Sequence, residues 1–220
     1  MKKKIGLRER KFAKTRLKLA EALVQRLQES TLEEIVVRDL CEDAEISEAT
    51  FFNYFPRKVD LLDYYTHLWM LDLNWRCQNS QRSGLEAIAV SFDFMGQAFQ
   101  NQTGVMSEII GRQALQREKP KPVDIGLAER IIAYPEHTGV EDIPIGGVDK
   151  AWLPALEQAI RSGELPPNSH MPTLMVGLAS IFYGVPLVVR QSNVAAIPNM
   201  YAQQLAVFWA GIKTVSQGIK

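Results

Sequence analysis

Thr50, Asn53, Tyr54 and Lys58 place a hydroxyl, an amide, a phenol and an amine within three turns of one another, directly after the helix-capping residue Ser47. Phe51 and Phe55 are four residues apart and share one face. At 3.6 residues per turn, burying that pair turns Glu48, Thr50, Asn53 and Tyr54 towards solvent. An outward amide and hydroxyl of this kind can hydrogen-bond base edges or meet a thymine methyl, and a phenol and an ammonium can hold phosphate oxygens. The chemistry on offer is recognition of a duplex, not bond making.

The surrounding residues predict the elements that would position this face. Val37, Leu40, Cys41 and Ala44 form an apolar helical stripe just before it, Ile46 occupies the turn, and Pro56 stops the second helix. Upstream, a helix over roughly Arg8 to Gln28 carries Phe12, Leu19, Leu23 and Leu27 on one face and basic residues on the other. Three helices this short must pack together, around Leu23, Leu27, Ile35, Leu40, Ile46, Phe51 and Phe55. The expected architecture is all-α, with a three-helix head over residues 1–58 and a helical body over 59–220. Body helices are expected from Val59, then at Gly84 to Gln100, Met106 to Arg117, Leu127 to Ala133, Lys150 to Ser162, Pro172 to Gln191 and Asn199 to Gly218. Pro120, Pro122, Pro135, Pro144 and Gly146-Gly147 predict an irregular connection between Lys119 and Lys150, and Gly163 reads as the stop of the helix before it.

The chain has 220 residues, 46% hydrophobic, and no formal net charge. The charges are not evenly spread. Residues 1 to 18 hold Lys2, Lys3, Lys4, Arg8, Arg10, Lys11, Lys14, Arg16 and Lys18 against Glu9 alone, a net charge of +8, and local fields over about 8–10 Å govern contacts with a polyanion. A basic arm over Lys2 to Lys11 would follow a phosphate backbone or enter a minor groove, or else serve as a solvated tail. Two cysteines, Cys41 and Cys77, lack metal-ligand spacing, and a reduced, cytoplasmic setting is expected. The charged run after Met1 does not read as a secretory signal. Leu174 to Val189 is apolar but shorter than the ~20 residues of a span and interrupted by Gly177, Ser180, Gly184 and Pro186, so no membrane association is expected.

Catalytic constellations are missing. His67, His137 and His170 stand apart, no Cys–His nucleophile pairing, phosphate loop or Gly-x-Ser-x-Gly elbow occurs, and Gly146-Gly147 lacks the context of a nucleotide loop. Neither enzymatic activity nor a metal or cofactor is expected. Trp69, Phe92, Met95, Phe99, Met106, Phe182 and Tyr183 could line an apolar ligand pocket, although aromatics at helical spacing are more often core. The last two helices are apolar nearly all round, the second through Tyr201, Leu205, Phe208, Trp209, Ile212 and Val215. They serve either as central core helices or as one half of a four-helix interface between two copies.

Val37, Arg38, Asp39, Leu40, Ala44, Ile46, Ser47, Thr50, Phe51, Phe55, Lys58, Leu61 and Leu62 together resemble the head of the TetR family of bacterial transcriptional regulators, over about Arg8 to Leu62. The resemblance implies a helix-turn-helix in which Arg38, Ser47, Ala49, Thr50, Asn53, Tyr54 and Lys58 meet double-stranded DNA, Ala49, Thr50 and Asn53 at bases and Tyr54 and Lys58 at phosphates. It implies a homodimer joined by the two C-terminal helices, a palindromic operator, repression as the default, and an unknown small-molecule effector bound by the body. Three positions depart from the family pattern. Val36 replaces a capping Thr, worth about 1 kcal/mol as a cap. Glu45 replaces the turn Gly, so it bears a strain of order 1 kcal/mol where φ is positive, or else the turn opens slightly. Phe52 replaces a Tyr, for which Tyr54 offers a nearby hydroxyl. The rival reading is a helical ligand-binding protein or enzyme without DNA function.

Overall fold

The structure is a computed structural model that describes residues 5–115 and 123–218, the last four by backbone alone. Lys2, Lys3 and Lys4, the Arg117 end of the helix expected from Met106, Pro120, Pro122 and the side chain of Val215 lie outside the described residues. The fold is all-α, 74% helical, with no strand among the described residues. In chain order the helices are α1 Leu7–Arg26, α2 Val37–Ala44, α3 Glu48–Tyr54, α4 Lys58–Asn79, α5 Gly84–Asn101, α6 Thr103–Leu115, α7 Leu127–Ala133, α8 Asp149–Arg161, α9 Met171–Val189 and α10 Ile197–Gly218. The expected helices are all present, each within a few residues of its expected ends where those ends are described. Between α7 and α8 the connection is irregular apart from one 3-10 turn at Val140–Asp142, as the prolines foretold. Gly163 adopts φ 81° immediately after the α8 cap residue Ser162, so it does stop that helix.

The chain divides into two compact units, residues 1–72 with 104–145, and 73–103 with 146–220. The first therefore contains the whole expected head together with α6, α7 and the first part of α4. Its core is Leu19, Leu23, Leu27, Leu40, Phe51, Phe55, Leu61, Leu62 and Tyr64, each at most 2% exposed. Ile46 is only half-buried. At Gly104 the first turn of α6 crosses the end of α1 so closely that an added Cβ would fall 1.6 Å from the Leu27 carbonyl oxygen. Glu108 then accepts the Leu32 N–H at 3.0 Å, holding the segment between α1 and α2.

The second unit is built around aromatic rings. Phe92 stacks on Trp152 with centroids 5.7 Å apart, and Phe182 and Tyr201 meet Phe92 edge-on. The polar tips are all satisfied: Trp152 Nε1 donates to Ser91 Oγ at 2.8 Å, and the Tyr201 hydroxyl donates to the Phe182 carbonyl at 2.6 Å. α9 and α10 pack together where Gly177 makes room for the Phe208 ring. The pair still leaves Val176, Leu187, Val188 and Val207 between 41% and 78% exposed. By length and composition α9 is also the one described helix that could cross a membrane, with 28% of its apolar window buried.

Candidate nucleic-acid interface

The turn between α2 and α3 is where local chemistry meets the fold. α2 starts at Val36 with no side-chain cap, the consequence of a valine at that place. It ends in a Schellman motif: Ile46 N–H donates to Cys41 O at 2.9 Å, Glu45 N–H donates to Glu42 O at 3.2 Å, and Glu45 takes the left-handed conformation at φ 56°, ψ 46°. Glu45 therefore carries the strain expected of a side chain in a glycine position, and its carboxylate meets Lys18 Nζ at 3.0 Å. Ser47 caps α3 as foreseen, accepting the Thr50 N–H at 3.1 Å and sharing a 2.9 Å hydrogen bond with the Thr50 hydroxyl.

Phe51 is fully buried and Phe55 is 2% exposed, so α3 turns Glu48, Ala49, Phe52 and Asn53 outwards, with Thr50 and Tyr54 half-exposed beside them. Cys41 is buried beneath this layer; burial, and then the nearby Glu48, push its thiol above the ordinary value, so it packs as a neutral apolar group. Arg38 is exposed on α2, with Asp39 and Glu42 oxygens each 3.7 Å from its Nε.

The basic residues of α1 divide by task. Lys18 holds Glu45, Arg26 binds Asp43 at 2.6 Å and Asp39 at 3.4 Å, and Arg16 is paired inside the unit with Glu129 at 2.9 Å. Arg8, Arg10, Lys11 and Lys14 are exposed and make no ion pair among the described residues. Phe12, expected on the apolar face of α1, is instead 43% exposed, its ring edge-on to Tyr54 with centroids 5.0 Å apart. Between the first turns of α1 and the last of α3 lies a groove of about 500 Å³ lined by Leu7, Arg8, Lys11, Phe12, Thr50, Asn53 and Tyr54.

Of the seven residues expected to meet DNA, Ser47, Ala49, Thr50, Asn53 and Tyr54 sit together on or before α3, and Arg38 projects separately from α2. Lys58 is placed differently: its Nζ donates to the carbonyls of Glu33, at 3.0 Å, and Ile35, so two of its three protons are turned inward. The basic arm expected over Lys2 to Lys11 already took in Arg8, but sequence reasoning did not single out Phe12 as part of this face. The signal available was Phe12 itself, whose ring had to find cover at the open end of α1.

The apolar residues considered as a ligand pocket do not form one group. Trp69 and Met106 belong to the first unit, and Phe92, Met95, Phe99, Phe182 and Tyr183 to the second. Phe92, Met95, Phe99, Met106 and Phe182 are at most 1% exposed and Trp69 is 5% exposed, which makes them core; Tyr183 is half-buried. In the second unit the side chain of Asn74 is fully buried, its Oδ1 has no partner, and its Nδ2 reaches only the Gly147 carbonyl at 3.5 Å. Among the described residues no three His, Cys, Asp or Glu side chains are grouped to hold a metal ion. Comparisons with protein-family models, with curated proteins and with solved structures found no match.

Proposed function

We propose that the chain is a sequence-specific DNA-binding transcriptional regulator, a ligand-responsive repressor that acts as a homodimer on a palindromic site. The observation that carries this reading is the outer face of α3. A helix of seven residues is anchored from below by Phe51 and Phe55 and capped by Ser47, and it presents Ala49, Thr50, Asn53 and Tyr54 to solvent beside Arg8 and Lys11 of α1, which make no ion pair among the described residues. α3 enters the major groove, Asn53 and Thr50 read base edges, and α1 and the helix ends hold phosphates. The resemblance to TetR regulators over Arg8 to Leu62 points the same way, and so does the exposed apolar strip of α9 and α10, which a second copy would cover. The body takes a small molecule, and the unpartnered Asn74 Oδ1 is an acceptor that such a ligand could satisfy.

Selection from random duplex DNA tests the reading. The full-length protein should enrich an inverted repeat, protect it from nuclease as a dimer, and bind it less tightly as salt rises. Enrichment of no motif, or binding indifferent to salt, would remove DNA recognition and leave a helical ligand-binding protein.

A further inference from the structure

The groove between α1 and α3 has a composition that the reading face alone does not require. On the α1 side its lining is apolar at Leu7 and Phe12 and cationic at Arg8 and Lys11, and on the α3 side it is the polar edge of Thr50, Asn53 and Tyr54. Neither cation is engaged in an ion pair among the described residues. The acid of that turn, Glu9, is folded back on the Gly6 N–H at 2.8 Å as a cap, away from any competing role. Tyr54 is held in place by its edge contact with Phe12, and its hydroxyl makes no hydrogen bond among the described residues. Lys58, the natural choice for a phosphate contact, spends two protons on the Glu33 and Ile35 carbonyls.

Resting on the DNA-binding reading, we propose that this groove seats the sugar–phosphate backbone of the duplex beside the base read by Asn53. Arg8 and Lys11 are its phosphate clamp, the deoxyribose lies on Phe12 and Leu7, and Lys58 is a structural residue of the head. Charge complementarity selects this occupant: two cations that make no ion pair among the described residues stand beside apolar side chains, and the groove is shared with the helix that faces the bases.

The test measures affinity against salt for a duplex enriched from a random pool by the wild-type protein, comparing wild type, Arg8→Gln/Lys11→Gln, Lys58→Met and, as a control far along the chain, Lys213→Gln. Each lost phosphate contact lowers the slope of log affinity against log salt by about 0.9, and the double variant removes two from each protomer of the dimer, so it should lose about 3.6 and bind at least tenfold more weakly at low salt. Lys213→Gln should match wild type, and Lys58→Met should melt earlier while keeping the wild-type slope. If wild type binds steeply with salt and the double variant keeps that slope, the clamp is wrong although DNA binding stands. If Lys58→Met melts as wild type and loses about 1.8 of slope, one contact from each protomer, the structural role given to Lys58 is wrong. Failure of the wild type itself to enrich any duplex would overturn both, and is seen without any variant.

Discussion

Arg16 and Glu129 are joined 2.9 Å apart inside the first unit, with side chains 11% and 3% exposed, so that a charge from α1 is neutralised by one from α7. Glu129 is saturated: its other contacts are the Tyr64 hydroxyl and the Gly126 N–H, each at 2.7 Å. The Arg16 guanidinium lies 4.0 Å over the Tyr64 ring and donates to the Asp124 carbonyl, while its Nε is left without a partner. Helix α1, whose open end carries the candidate phosphate clamp, is thus fastened at its middle to α7.

Breaking this pair from one side leaves a buried charge alone. Glu129→Ala is expected to destabilise the protein by about 3–5 kcal/mol. Arg16→Met combined with Glu129→Gln should cost about 1–3 kcal/mol less than the two single changes summed, as read from urea unfolding. Additive single effects would mean that the pair is not coupled.

Glu45 at φ 56° is the one strained residue of the turn between α2 and α3, and its ion pair with Lys18 is solvent-exposed, which makes that pair worth little. Glu45→Gly should therefore raise stability by about 1 kcal/mol, with a higher urea midpoint and an unchanged slope. A lower midpoint would show that the Lys18 contact outweighs the backbone strain.

Burial holds the Tyr64, Tyr65, Tyr183 and Tyr201 phenols above their ordinary value, Tyr65 up to about 12, and the nearby Glu129 carboxylate adds to the effect at Tyr64. Because the folded state keeps these protons more tightly than the unfolded chain, their contribution is complete below pH about 10 and is lost as pH rises towards the folded values. Of the six tyrosines, these four should stay dark in a tyrosinate absorbance titration until the protein unfolds. Smooth ionisation of all six with the fold intact would contradict the packing described for them.

Val207 is 69% exposed on α10. A glutamate there is harmless to a single chain, within about 0.5 kcal/mol, but would be buried unpaired in a symmetric interface of α9 and α10. Sedimentation should show wild type at twice the chain mass and Val207→Glu at the chain mass, with similar melting of secondary structure at low concentration. A wild type that sediments as a single chain at high concentration would rule out this interface.

The all-α class, the places of the helices and the Ser47 cap were legible in the residue order, because hydrophobic period and capping are local properties. The strain at Glu45 was legible only as one of two outcomes, an opened turn being the other, and the fold chose the left-handed backbone. Arg16 was not legible: the basic residues of this helix were expected on the face away from Phe12 and Leu19, and the fold buries Arg16 instead, where its charge needs a partner. That the partner is Glu129, more than a hundred residues on, is a matter of packing alone. Tertiary structure likewise turned Lys58 inward onto carbonyls of a preceding loop, brought Phe12 out to Tyr54, and set the aromatic residues of the body into cores. Each of those outcomes depends on which surfaces meet across long sequence separation, and helical periodicity carries no information about that.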